Sequence, residues 1–348
     1  MTMAACGHGI DGHRVKVTRM DVWVGSYTSA TGGNGVGIST FRRSPGGGLI
    51  PDRTLAMASP SWLTAHPAVP VVYATNELTE GMITTVSADL EVLGTISTDG
   101  ADPCHLAITP DARYLLCSNY SSGNLAVFAL AEDGRITGRT DLVQHEGTGP
   151  HAERQEAAHV HMAVVRDRIV SVVDLGTDEI RSYTLTDSGK LDPLSVSAMP
   201  PGTGPRQLVR LPGSDLAYVV GEVAGTLVVV REGPVGTFTP LTVVPGTKTP
   251  YVEGPKGPNW VAHLELVGDR LYLSNRNPDC VTEFDVSAEE PVALADHPSG
   301  AFPRHFAIAG DTIYVAAQRD DAIVAFPRGG GEAVRYPTGT PTFVLVRS

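Results

Sequence analysis

The stretch GPRQLVRLPGSDLAYVVGE, from Gly204 to Glu222, carries one arginine near its start and one glutamate at its end. Between them lie two apolar runs separated by Pro212-Gly213-Ser214-Asp215. Two strand-like runs around a cluster of turn-forming residues predict a β-hairpin. Arg206 and Glu222 stand at similar distances from the middle of the turn, so the hairpin should return the chain to its starting level and leave them as neighbours on one face.

The same pattern recurs along the chain. It appears in SWLTAHPAVPVVYATNE, CHLAITPDARYLLCSNY, VHMAVVRDRIVSVVDLG, AHLELVGDRLYLSNR and RHFAIAGDTIYVAAQ. Residues at the matching first position are Trp62, His105, His161, Gln207, His263 and His305, spaced by 43, 56, 46, 56 and 42. Such intervals fit a blade-sized repeat with variable loops. The matching last positions are Glu77, Tyr120, Leu175, Glu222, Arg276 and Gln318. Each hairpin is followed by a further apolar segment, such as GNLAVFAL, GTLVVV or CVTEFDV, and then by a more variable one. Four strands per unit, with no long stretch of helical periodicity, make an all-β propeller the expected fold.

Six hairpins leave two ends over. DVWVGSY, GVGISTFRR and the run from Leu49 to Met57 read as the second, third and fourth strands of a unit lacking its first. PTFVLV, from Pro341 to Val346, supplies the missing strand. The expectation is one seven-bladed, four-stranded β-propeller over residues 21–348, closed by its C-terminal strand, with residues 1–20 as a disordered extension. Closure of this kind leaves no open sheet edge.

Composition sets limits on function. The 348 residues carry a formal charge of −12, which argues against nucleic acid or an anionic membrane surface as a partner. No apolar run is long enough to span a bilayer, and the N-terminus lacks the apolar core of a signal peptide, which points to the cytoplasm. Cys6, Cys104, Cys117 and Cys280 show no metal-type spacing and read as buried apolar side chains. Nothing in the sequence specifies an oligomeric state.

In a propeller the start of each first strand and the end of each second strand share one rim. His159, His161, Arg206, Glu222, Arg276, Arg304 and His305 should therefore converge above the central channel, and such convergence on a rigid scaffold is what a binding site requires. The loop GTGPHAERQE adds Arg154 and Gln155 as candidate substrate contacts. Asp174 and Asp178 are expected to cap turns. The recurring channel positions His105, His263 and His305 read as packing.

The motifs VGSYTS, PSWLTAHP with YATNE, PCHLAITPDARYLLCSNYSSGNLAVF, ERQEAAHVHM, VVDLGTDEI, GPRQLVRLPGSDLAYVVGE, LYLSNR and FPRHFAI, in that order, run from about Val24 to Phe326. In them the chain resembles the seven-bladed propeller lactonases, the family of the bacterial 6-phosphogluconolactonase and the fungal carboxy-muconate cyclase. The resemblance implies a metal-independent site made of a histidine from the HxH segment, the arginine of a GPRH motif, a glutamate about sixteen residues later and an arginine ending an SNR segment. Here these are His159 or His161, Arg206, Glu222 and Arg276. The chain departs from the family at two places: Gln207 replaces the histidine of GPRH, and GEV replaces NEL around the glutamate. PRHF is intact at Arg304 and His305.

Opening a lactone needs an activated water, positive charge where the carbonyl oxygen becomes an oxyanion, and a proton for the departing alkoxide. Glu222 or a histidine of the pair is expected to take the water's proton, and Arg206 and Arg276 to hold the oxyanion or an anionic tail. His159 is favoured for catalysis, with His161 at the channel-lining position and the two pointing to opposite sides. His161, Arg154, Gln155, Gln207, Arg304 and His305 are expected to bind substrate. A zinc site on His159 and His161 with His151 or Glu156 lacks a third ligand at characteristic spacing, so neither metal nor cofactor is expected. The implied substrate is a small anionic sugar lactone, most simply 6-phosphogluconolactone. A muconate-type cyclase and a non-catalytic binding propeller are the competing readings, because fold alone does not separate them.

Overall fold

The quoted hairpin forms the inner half of a four-stranded antiparallel sheet, Pro205–Arg210, Leu216–Gly221, Thr226–Glu232 and Phe238–Pro245. At its turn Gly213 adopts φ 75°, and Leu216 N–H donates to Ser214 Oγ at 3.1 Å. Seven such four-stranded sheets make up the computed structural model, which describes residues 21–347. The extension expected over residues 1–20, Cys6 included, lies outside the described residues. Helical structure among the described residues amounts to two short 3-10 turns, Ser29–Thr31 and Gln318–Asp320. None of it is long and apolar enough to cross a membrane.

The middle strands show why the sheets stack as a ring. Ala217, Tyr218, Val219 and Val220 are all fully buried, as are Leu227 to Val230. Alternation splits them between two faces: Tyr218, Val220, Leu227 and Val229 pack against Val261, Leu264 and Leu271 of the next blade. Ala217, Val219, Val228 and Val230 pack against Val173 and Ile180 of the preceding one. Seven apolar clusters occupy the seven blade interfaces in this way. Each fully buried valine or leucine contributes roughly 1.5–3 kcal/mol. Outer strands such as Val92–Ser97 face solvent and are mostly exposed.

The ring closes as expected. Pro341–Arg347 pairs antiparallel with Asp21–Ser26, with Val22 opposite Val346 and Val24 opposite Val344.

One detail of register positions everything that follows. Where the innermost strand begins, the pairing skips a residue, and the skipped residues are Cys104, His161, Arg206, Arg304 and Thr342. A wider irregularity covers Ala262 and His263. A bulge re-aims one side chain out of the ladder, so these residues turn toward the rim, whereas the next ones, His105, Gln207 and His305, point into the channel. This corrects the expected alignment of His161 with His105 and Gln207. The residue equivalent to Gln207 is Met162, and His161 is the equivalent of Arg206. The first residue after each second strand is fixed just as regularly: Tyr27, Glu77, Tyr120, Leu175, Glu222, Arg276 and Gln318 each donate their backbone N–H across to the incoming first strand, at 2.8 to 3.2 Å.

Candidate active site

These two sets of equivalent positions meet in a cavity of about 310 Å³ at the rim. Bulged positions supply Cys104, His161, Arg206 and Arg304; post-strand positions supply Tyr27, Glu77, Tyr120, Glu222 and Arg276. Arg154 joins them from the long loop that leads to the strand Val160–Arg166. Four guanidiniums thus face two carboxylates, a local excess of positive charge inside a chain of charge −12.

Glu222, 3% exposed, is the hub on one side. Its Oε2 lies 2.7 Å from both Arg206 Nε and Arg276 Nη2, and its Oε1 accepts from Arg154 Nη2 at 2.5 Å. Burial would raise the carboxyl, but Arg276, Arg206 and Arg154 together hold it well below the usual carboxylate range. Burial draws Arg206 down to about 10, against the pull of Glu222, so it stays protonated at neutral pH. The approach of Arg206 Nε and Arg276 Nη2 to Glu222 is ionic in distance but off the hydrogen-bonding direction. Both buried nitrogens therefore lack a hydrogen-bond partner among the described residues. Arg206 and Arg276 also bond to backbone: Arg206 Nη1 donates to Ala262 O at 2.5 Å and Arg276 Nε to Trp260 O at 3.0 Å. Arg154 and Arg276 also lie over the Trp260 ring, 5.3 and 5.7 Å from its centroid, contacts that favour cations.

A second cluster faces the first. Tyr27 Oη donates to Glu77 Oε1 at 2.5 Å, and Arg304 Nη2 lies 3.6 Å from the same oxygen and over the Tyr27 ring. Burial pushes the Tyr27 phenol up, so it remains a donor. Glu77 Oε2, buried, has no hydrogen-bond partner among the described residues. His161 is held well below the ordinary imidazole value by burial and by Arg206, and so is neutral. Its Nδ1 sits 3.8 Å from Cys104 Sγ. Burial raises the Cys104 thiol, which removes it as a thiolate nucleophile.

Of the residues expected at the rim, the structure brings Arg154, His161, Arg206, Glu222, Arg276 and Arg304 into the cavity lining and leaves His159, Gln155, Gln207 and His305 outside it. His159 lies one layer back, stacked on Tyr120 with ring centroids 4.4 Å apart, its Nδ1 3.1 Å from Tyr120 O and its Nε2 3.1 Å from Glu156 Oε1. Residues two apart share a face in a regular strand; the two histidines separate because His159 precedes the strand and His161 occupies its bulge. The cavity position expected for His159 therefore belongs to His161. Gln155 is fully buried and ties down the loop that presents Arg154, donating to Leu175 O at 2.9 Å and Asp178 Oδ1 at 2.8 Å. Gln207 and His305 belong to a plug below the cavity. Gln207 Oε1 lies 2.9 Å from His263 Nδ1, His263 packs on His305 at 3.7 Å between centroids, and His305 on Phe343 at 3.9 Å. Tyr27, Glu77, Tyr120 and Cys104 also line the cavity and were not among the site residues expected from the sequence, although Glu77 and Tyr120 hold the same repeat position as Glu222.

The sequence and the fold have counterparts among known proteins. A family model described as "Lactonase, 7-bladed beta-propeller" matches residues 21–334. A 6-phosphogluconolactonase of Bacillus subtilis (strain 168) is 28% identical over 329 residues, covering 90% of this chain and 92% of its own. A candidate 6-phosphogluconolactonase from Bacteroides fragilis superposes with a TM-score of 0.84 at 25% identity, over 96% of this chain and 99% of that one. The periplasmic gluconolactonase of Pseudomonas aeruginosa shares the fold at a TM-score of 0.87 and 24% identity, over 95% of this chain and 99% of its own.

Proposed function

The chain belongs to the seven-bladed β-propeller lactonase family, and on that premise we propose that its rim cavity hydrolyses the ring ester of a phosphorylated sugar lactone, 6-phosphogluconolactone. The observation that carries this reading is the gathering of Arg154, Arg206 and Arg276 on Glu222 with Arg304 opposite, in one small cavity. The name of the Bacillus subtilis relative supports the same substrate.

In this mechanism the guanidiniums divide two tasks. Those nearest the reacting carbonyl stabilise the oxyanion as water adds, an effect worth about 10²- to 10³-fold per donor. The others hold the phosphate, for which planar, multidentate donors are suited. Glu222 does not activate the water: with each oxygen occupied by guanidinium and its basicity suppressed, it serves to align the arginines. His161, neutral and in the lining, offers the substrate a hydrogen bond.

The test is turnover of 6-phosphogluconolactone and of unphosphorylated gluconolactone by purified protein, each corrected for spontaneous hydrolysis. The phosphorylated substrate should show the higher kcat/KM by about tenfold or more, the worth of one charge-assisted contact. No acceleration over the spontaneous rate with either lactone rules out the reading.

A further inference from the structure

We propose that Glu77 is the general base that takes the proton from the attacking water, a role that rests on the hydrolytic reading above. Two carboxylates line the cavity, Glu222 buried and Glu77 partly exposed, and their surroundings assign them different work. Glu222 has each oxygen engaged by arginine. Glu77 is anchored through Oε1 alone, by the Tyr27 hydroxyl at 2.5 Å and Arg304 at 3.6 Å, and keeps a buried Oε2 without a partner. A buried, unpartnered carboxylate oxygen is costly unless something in the functional cycle meets it. A general base needs such an oxygen, fixed in direction by contacts made elsewhere on the group. His161 is less suited, since its imidazole is held well below its ordinary value and its Nδ1 faces Cys104.

The step balances with the residues present. Water's oxygen bonds to the lactone carbonyl carbon as one water proton passes to Glu77 Oε2, and the carbonyl oxygen becomes an oxyanion facing the guanidiniums. On collapse the bond from that carbon to the ring oxygen breaks, and the departing ring oxygen takes the proton back from Glu77. The new carboxylic acid then releases its own proton to solvent. Nothing is oxidised or reduced.

The experiment is the pH dependence of kcat and KM for 6-phosphogluconolactone hydrolysis by the wild type, Glu77→Gln, Glu222→Gln and Tyr27→Phe, with a thermal melt of each. Glu77→Gln keeps the acceptor for Tyr27 and should lower kcat by about 10²- to 10⁴-fold. Its KM should move by less than about threefold, and the limb on which kcat/KM rises with pH should vanish. Glu222→Gln should move KM and keep that limb, and Tyr27→Phe should displace it. Should Glu77→Gln melt early, Glu77→Asp serves instead: it retains the limb but loses kcat by withdrawing the carboxylate one methylene. Wild-type kcat in Glu77→Gln, or loss of the limb in Glu222→Gln alone, overturns the assignment while leaving the hydrolase intact. A wild type with no activity on any lactone overturns both.

Discussion

Asp174 and Glu222 are both buried carboxylates at the end of a second strand, one blade apart, and each faces groups able to carry positive charge. Asp174 accepts from His159 N–H at 2.8 Å and Gly176 N–H at 3.1 Å, and lies 2.8 Å from His145 Nδ1. His145 Nε2 in turn meets Tyr183 Oη at 2.9 Å. On paper this acid, imidazole and hydroxyl resemble a catalytic relay. Yet Asp174 and His145 are 0% and 1% exposed, they do not line the rim cavity, and every polar atom of the set has a partner among the described residues. The Glu222 cluster differs in two respects: it opens onto a cavity, and it holds Arg206 Nε and Arg276 Nη2 in ion pairs with Glu222 without a well-directed hydrogen bond. Polar groups that are buried and complete hold a fold together, whereas buried groups left incomplete beside a cavity have something to bind.

If that contrast is right, mutations in the two clusters should separate stability from turnover. Asp174→Ala strands His145 and two backbone donors inside the blade and should cost about 3–5 kcal/mol of stability. Chemical denaturation would show it, with kcat of the folded fraction unchanged. Arg276→Ala leaves Glu222 two guanidinium partners, so the melting temperature should move little while kcat/KM falls about 10²- to 10³-fold. A large stability loss with intact turnover in Arg276→Ala would turn the comparison round. Both carboxylates sit below their ordinary range in the folded protein, Asp174 because His145 and His159 N–H outweigh its burial. Each therefore contributes stability that is present at neutral pH and lost as pH falls through its folded value. Acid denaturation followed in Asp174→Ala should show a shallower dependence on pH than the wild type.

How far the site could be read beforehand follows from the same features. Repeated hairpins declare themselves in the sequence because apolar alternation and turn residues are local, and the closing strand followed from what the first blade lacked. Arg206 beside Glu222 was legible for the same reason, since a hairpin's symmetry survives without knowledge of its neighbours. The bulge at His161 was not. It adds a single residue to one strand, leaves the composition unchanged, and moves the histidine from the channel series to the rim series. Glu77 and Tyr120 were visible as members of the Glu222 position, but their chemistry comes from partners in other blades: Tyr27 for the first, Arg154 for the second. Gln155 reads as a surface contact in a polar loop, and only packing shows it fully buried beneath Arg154.

The smallest effect tests a third carboxylate, unlike either of the others. Glu265 lies two residues beyond His263 on the strand Val261–Val267, accepts Ile308 N–H at 3.1 and 3.4 Å, and makes no ion pair among the described residues. Burial raises it from 4.5 to about 7, only partly opposed by that N–H. With the folded value above the unfolded one, the native state holds the proton more tightly, so the group costs nothing at low pH and destabilises increasingly as pH rises from about 4.5 through 7. Glu265→Gln keeps the acceptor for Ile308 and removes the charge. It should stabilise the protein by up to about 3 kcal/mol at pH 8 and leave it unchanged at pH 4, read from urea denaturation at the two pH values. An equal gain at both would mean that packing rather than ionisation separates Glu265 from the carboxylates of the rim.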